Sequence, residues 1–147
     1  MKSMTLSSIP IEDISVGMSM SYSRTITDSD IRSFAELSGD NNPVHLDEKY
    51  AESSRFKKRI AHGLMSAGFF SALFGTKIPG VGCVYVAQSL KFKRPVYIDD
   101  NVTATVTVTS LDLKNRRVFF DTVCTVKSKI VISGEAEIYI PAEPANA

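Results

Sequence analysis

Ten consecutive residues, Ser38-Gly39-Asp40-Asn41-Asn42-Pro43-Val44-His45-Leu46-Asp47, place a carboxylate (Asp40) and an imidazole (His45) five positions apart. Gly39, Asn41, Asn42 and Pro43 favour a turn there, since glycine and asparagine accept left-handed backbone and proline pre-sets φ. A carboxylate and an imidazole aimed at one water form a common arrangement for proton transfer near neutral pH. The chain has only two histidines, so the position of His45 is informative. A purely local reading is equally open at this point: Asp40 caps a turn or helix, and His45 bonds a backbone carbonyl. Asn42 and Pro43 are scaffolding under either reading.

A second group lies at Ile60-Ala61-His62-Gly63, which leads into a long apolar run. The first N–H groups of a helix lack internal partners and carry the positive end of its dipole. Gly63 has no side chain, so a ligand oxygen can approach its N–H and find an oxyanion site, a donor of the kind that lowers a barrier by roughly 3 kcal/mol. Tight passage of the chain into the helix is the other use of Gly63, and His62 reads as a capping or packing residue rather than a ligand. Two histidines and two separated cysteines show no metal-ligand spacing, so no metal is expected. Phosphate-loop, dinucleotide and nucleophile-elbow motifs are absent. Lys91, Lys93 and Arg94, like the basic run at 57–59, either meet the phosphates of a bulky anionic group or are solvated surface charge. Ser71 and Phe74, one turn apart, either line an acyl tunnel or pack in the core.

The elements that position these groups follow from period and punctuation. Residues 18–25 alternate Met18, Met20 and Tyr22 with Ser19, Ser21 and Ser23, which predicts a strand. Thr27 and Asp30 fit a capping box, and Ile31, Phe34, Ala35 and Leu37 form a helical stripe that stops at Gly39. Asp47 caps a second short helix through Tyr50 and Ala51. The run 61–74 is apolar on almost every side, thinned only by Ser66, Gly68 and Ser71, and predicts a buried helix. Strands follow at 84–92, at 102–109 (where Val102, Ala104, Val106 and Val108 alternate with threonines), at 118–126 and at 130–140, with turns at 111–117 and 128–129. This order describes an α+β hot-dog fold, an antiparallel sheet wrapped around a long central helix with the Asp/His segment overhanging it. A split sheet with its helix on an open face is the alternative. One helix cannot cover a five-stranded sheet, so dimerisation is expected to bury the rest.

The 147 residues fit one domain, 1–147, with a loose proline-rich tail at 141–147. Hydrophobic residues make up 44% and charged residues 22%, an ordinary globular balance, and a net charge of +1 leaves no nucleic-acid footprint. No apolar run is long enough to span a bilayer and no secretory signal is visible, so a cytoplasmic protein without a membrane partner is expected. Cys83 and Cys124 are expected as reduced core thiols.

The segments 34–47, 60–65 and 88–96, in that order, resemble the MaoC-like family of (R)-specific enoyl-CoA hydratases, and most of all the short bacterial hydratases that supply (R)-3-hydroxyacyl-CoA for polyhydroxyalkanoate synthesis. The similarity spans nearly the whole chain, and Ser-Gly-Asp-x-Asn-Pro-x-His-x-Asp is its specific motif. It implies a hot-dog homodimer that reversibly hydrates trans-2-enoyl-CoA to (R)-3-hydroxyacyl-CoA, with no cofactor beyond the coenzyme A of the substrate. It further implies that Asp40 and His45 hold the water, one of them acting as general base; Asp40 is the expected base and His45 the orienting, proton-sharing partner, an order the sequence does not fix. The Gly63 N–H then binds the thioester oxygen. A dehydratase acting on acyl-carrier-protein substrates shares this fold and chemistry. A thioesterase differs in releasing a free thiol, and a non-catalytic acyl-CoA-binding module has no need of both Asp40 and His45.

Overall fold

The computed structural model describes residues 5–142. A 3-10 turn at Ile11–Asp13 precedes strand β1 (Ser19–Thr25) and helix α1 (Asp28–Ser38). The expected capping box is present: the Asp30 N–H donates to Thr27 Oγ1 and the Thr27 N–H to Asp30 Oδ2, each at 3.1 Å. Asp30 also accepts a 2.7 Å bond from Arg24, so the start of α1 is tied to the sheet. Helix α1 ends where Gly39 takes φ +83°, a left-handed conformation that only glycine adopts without cost. Two short helices follow, α2 (Pro43–Leu46) and α3 (Glu48–Ser53). Asn42 and Asp47 cap them by accepting the Val44 and Tyr50 N–H groups, each at 3.2 Å. The motif thus coils into α2 where the sequence predicts only a turn. Proline at the first helical position behind an Asn cap is itself a helix start.

The longest of the described helices, α4 (Gly63–Thr76), begins two residues later than the apolar run. Ile60 bridges Tyr97 and the Ala61 N–H donates to the Val96 carbonyl at 2.7 Å, which holds 60–61 extended. Strands β2 (Val84–Gln88), β3 (Lys91–Phe92), β4 (Asn101–Asp112), β5 (Arg117–Val126) and β6 (Lys129–Tyr139) complete the sheet. It is antiparallel throughout, ordered β1-β4-β5-β6-β2, with β3 also pairing β6. The single strand expected over 84–92 is therefore two. Pairing with β6 shifts between Tyr85 and Ala87, and Gln88 Nε2 donates both to the Ser89 carbonyl and to Thr122 Oγ1, each at 2.8 Å, which turns the chain aside. The last hairpin turns on Lys127 and Ser128, at φ 51° and 67°, one residue earlier than expected. Two positive φ values match the twist of flanking strands in a two-residue hairpin.

Helix α4 lies on one face of the sheet, against β1, β4, β5 and β6. Phe70, Leu73 and Phe74 of α4 are buried there with Val102, Ala104, Val106 and Val108 of β4. On the opposite face the hydroxyls of Thr103, Thr105 and Thr107 pair with Ser23, Ser21 and Ser19 at 2.7, 2.8 and 3.1 Å. Burial of α4 on all sides is not observed. Leu64, Gly68, Ser71 and Gly75 form an outward stripe, with Leu64 62% exposed, because a helix on a single sheet covers only the side it turns to that sheet. Val84, Tyr85 and Val86 on the edge strand β2 are exposed as well. Cys83 and Cys124 are free thiols, and burial pushes Cys124 up to about 12. Among the described residues no helix is long and apolar enough to cross a membrane. Of the expected tail, Pro141 and Ala142 are exposed, and 143–147 lie outside the described residues.

Candidate active site

Asp40 stands in the short connection between α1 and α2, and local bonds aim its carboxylate. Its N–H donates to Ser38 Oγ at 3.1 Å, and the Ser38 hydroxyl donates to the Phe34 carbonyl at 2.7 Å. Oδ1 accepts the Asn42 N–H at 3.2 Å, which leaves Oδ2 to face His45 Nε2 at 4.0 Å. His45, in α2, is buried at 8% exposure, whereas the Asp40 side chain is half-exposed at 49%. His45 Nδ1 donates to the Ile60 carbonyl at 2.7 Å; a carbonyl only accepts, so Nδ1 carries the hydrogen and the neutral ring offers its Nε2 lone pair towards Asp40. Burial holds the His45 pKa below its ordinary value and the neighbouring His62 acts in the same direction, against opposing contributions from the Ile60 carbonyl and Asp40. A water bonded at about 2.8 Å to both Nε2 and Oδ2 subtends an angle of about 90° across such a gap, within reach of normal water geometry. The local reading of the motif is observed, since Asp40 shapes the turn with one oxygen and His45 bonds a backbone carbonyl, while the second Asp40 oxygen is left facing His45 Nε2.

His62 stacks on His45 with ring centroids 3.8 Å apart and planes 27° apart, and its Nε2 donates to the Asp40 carbonyl at 3.0 Å. It stands at the N-cap of α4 without a side-chain capping bond, so of the two expected roles packing is the one observed. Gly63 is the first residue of α4. A Cβ on it would lie 2.5 Å from Phe92 Cδ1, so the absent side chain keeps room for that ring beside the helix start. His45, Gly63 and Phe92 border one cavity of about 370 Å³ with the basic residues Arg55, Lys93 and Arg94. The site thus joins a water-sized gap, a helix N-terminus and a basic rim.

The family described as "MaoC like domain" matches residues 13–134. The chain belongs to the MaoC-like family. Among its relatives, a protein of Rhodospirillum rubrum named "(R)-specific enoyl-CoA hydratase" is 57% identical over 131 residues, covering 89% of this chain and 91% of that protein. A "3-hydroxybutyryl-CoA dehydratase" of Methylorubrum extorquens is 43% identical, covering 88% and 83% of the two chains. Among solved structures, an R-hydratase of Pseudomonas aeruginosa in the unliganded form superposes with a TM-score of 0.87 at 40% identity over 92% of this chain and 88% of that one. The fold is the hot-dog fold, α+β, as the order of elements predicts.

Within this MaoC-like framework the remaining residues separate. Lys93 and Arg94 stand at the cavity that holds His45 and Gly63, while Lys91 does not border it. Ser71 lies on the outward stripe of α4, and Phe74 is buried between Phe120 and Tyr85, with ring centroids 4.7 and 5.2 Å away. Neither borders the cavity beside His45. Donor atoms of Asp40, His45 and His62 lie within 4.8 Å of one another. One nitrogen of each imidazole, His45 Nδ1 and His62 Nε2, is engaged by a main-chain carbonyl, and the two rings are stacked with planes 27° apart. Three roles escape the sequence reading. Arg55 joins the basic rim, His62 holds the Asp40 main chain in addition to its expected packing, and Arg59, read as either phosphate-meeting or solvated charge, is buried at 7% exposure and donates to the His45 carbonyl at 2.6 Å. Only the position of 59–62 directly before Gly63 hints at the last two.

Proposed function

We propose that this MaoC-like protein catalyses the reversible hydration of trans-2-enoyl-CoA to (R)-3-hydroxyacyl-CoA, without a cofactor of its own. The observation that carries the proposal is the His45 Nε2 lone pair facing Asp40 Oδ2 at 4.0 Å, beside the free N-terminus of α4. Asp40 takes one proton from a water held by both residues, and the water oxygen bonds to C3. The π electrons of C2–C3 move to the thioester oxygen, where the Gly63 N–H and the helix dipole stabilise the enolate charge. The enolate then collapses, and C2 takes a proton from the Asp40–His45 pair on the same face, so the elements of one water end on the substrate. His45 orients the water and shares its proton, a role suited to a ring kept neutral by burial. The name of the 57% identical relative supports the substrate class and the product hand.

Arg55, Lys93 and Arg94 suit the phosphates of coenzyme A, with Lys91 further along the same basic stretch. Phe74, on the sheet-facing side of α4, and Ser71, on its outward side, are proposed to bound the acyl chain from different sides of the helix. The outward stripe of α4 and the apolar edge strand β2 are proposed to meet a second copy in a homodimer. Hydration of crotonyl-CoA, with the product's configuration determined, tests the function. We expect (R)-3-hydroxybutyryl-CoA and no release of free thiol; an (S) or racemic product, or thiol release, contradicts the proposal.

A further inference from the structure

The five residues before and at the start of α4 are bonded to the Asp40–His45 segment by four hydrogen bonds. Arg59 Nε donates to the His45 carbonyl at 2.6 Å, and the Ile60 N–H to the Val44 carbonyl at 3.3 Å. His45 Nδ1 donates to the Ile60 carbonyl at 2.7 Å, and His62 Nε2 to the Asp40 carbonyl at 3.0 Å. We propose that Arg59 and His62 are positioning residues, which hold the main chains of His45 and Asp40 so that both side chains face one water. The proposal rests on the hydratase reading above.

Buried arginine is rare unless it is paired, and here the planar fork is used in two directions. Nε reaches α2 at His45, while Nη2 reaches Asp28 in the first turn of α1 at 2.5 Å. Asp28 is itself gripped by Arg32 at 2.9 Å. Arg59 therefore locks the end of α2 to the start of α1, and Asp40 lies between those two elements. His62, 3% exposed, is clamped between the Phe34 ring at 4.8 Å and the His45 ring at 3.8 Å. That leaves its Nε2–H little freedom except towards Asp40. Asp40 is thus held at both main-chain poles, its N–H on Ser38 and its carbonyl on His62. The strip is stiff in its own right, being paired with Tyr97 and Val96 on one side and continuing into α4 on the other. Gly63 belongs to the same strip, so one stretch of chain fixes the relative places of all three reacting groups. A misplacement of about 1 Å in such a constellation can cost about 10²-fold in rate.

His62→Phe keeps the stacked ring and removes the donor, while His62→Gln returns an amide N–H near the place of Nε2. Arg59→Lys keeps the charge but has no fork to reach two acceptors. We expect kcat on crotonyl-CoA to fall about 10²-fold in His62→Phe and Arg59→Lys with KM within about threefold of wild type, and His62→Gln to recover most of the loss. Amide hydrogen exchange over 40–47 should speed up in the two impaired variants. If Arg59→Lys does not fold, Asp28→Asn, which loosens the same lock from a half-exposed position, should give a smaller loss of the same kind. Wild-type kcat, or unchanged exchange over 40–47, in folded His62→Phe and in the Arg59 or Asp28 variant overturns the proposal. Asp40→Asn measured in parallel keeps the two ideas apart: full activity there sinks the hydratase mechanism, whereas the exchange data still decide whether Arg59 and His62 hold the loop.

Discussion

The β4–β5–β6 meander and the segment 38–63 are held together by different kinds of bond. In the meander, main-chain ladders run from Thr103 to Asp112 and from Arg117 to Val126, and the side chains merely alternate between helix α4 and solvent. In the segment, Ser38, Asp40, Asn42, His45, Asp47, Arg59 and His62 each commit a side chain to a named main-chain group. A ladder tolerates any outward residue, since its bonds do not depend on side-chain identity. The segment has no such redundancy. Activity should therefore be concentrated in it, and stability in the packing between α4 and the meander.

The largest effect should come from His45→Gln, which fits the buried space yet lacks an imidazole. Turnover of crotonyl-CoA should drop about 10²–10⁴-fold with the fold intact by circular dichroism, the range a positioned acid/base group supplies. Activity near wild type would dissolve the contrast between the two regions. On the other side of it, Phe74→Ala should lower stability by about 3–5 kcal/mol in urea denaturation, since a fully buried ring against Phe120 is removed. A loss below about 1 kcal/mol would mean that the site under α4 refills easily. If Phe74 also bounds the acyl chain, the folded variant should prefer longer enoyl groups.

A finer measurement is the titration of His45 followed by its ring proton in NMR. Burial lowers its pKa, so the neutral ring is kept at neutral pH and is lost only as pH falls through a midpoint below about 6.5, the ordinary imidazole value. The rate should fall over the same acid range, because the protonated ring has no lone pair for the water. Since Asp40 opposes the burial effect, Asp40→Asn should move the midpoint further towards acid. A midpoint at or above 6.5 in wild type would contradict the buried, neutral role. The smallest effect belongs to Ser21→Ala, which removes an exposed hydroxyl pair with Thr105 from the outer face. Stability should change by no more than about 0.5 kcal/mol and kcat not at all.

What the sequence discloses is whatever near neighbours decide. The capping box of Thr27 and Asp30, the stop at Gly39, the Asp47 cap and the β4 alternation each involve residues a few positions apart, and each is present. Asp40 and His45 meet for the same reason, since only turn residues separate them. Features set by distant partners are hidden. Arg59 reads as part of a Lys-Lys-Arg run of phosphate-meeting or solvated charge because its partner, Asp28, lies 31 residues earlier. The break between β2 and β3 coincides with Gln88 reaching Thr122, 34 residues on, and no period reports that contact. The open stripe on α4 is invisible for a related reason: hydropathy says that Leu64 prefers burial but not which surface will bury it.

One experiment bears most directly on the mechanism, the loss of enoyl-thioester absorbance with crotonyl-CoA for wild type beside Asp40→Asn. Wild type should consume the absorbance rapidly and yield the (R)-3-hydroxy product, while Asp40→Asn, with the same shape but no base, should be at least about 10²-fold slower. Equal rates for the two proteins, or a wild type that binds crotonyl-CoA and leaves it unchanged, would contradict hydration by a water held between Asp40 and His45.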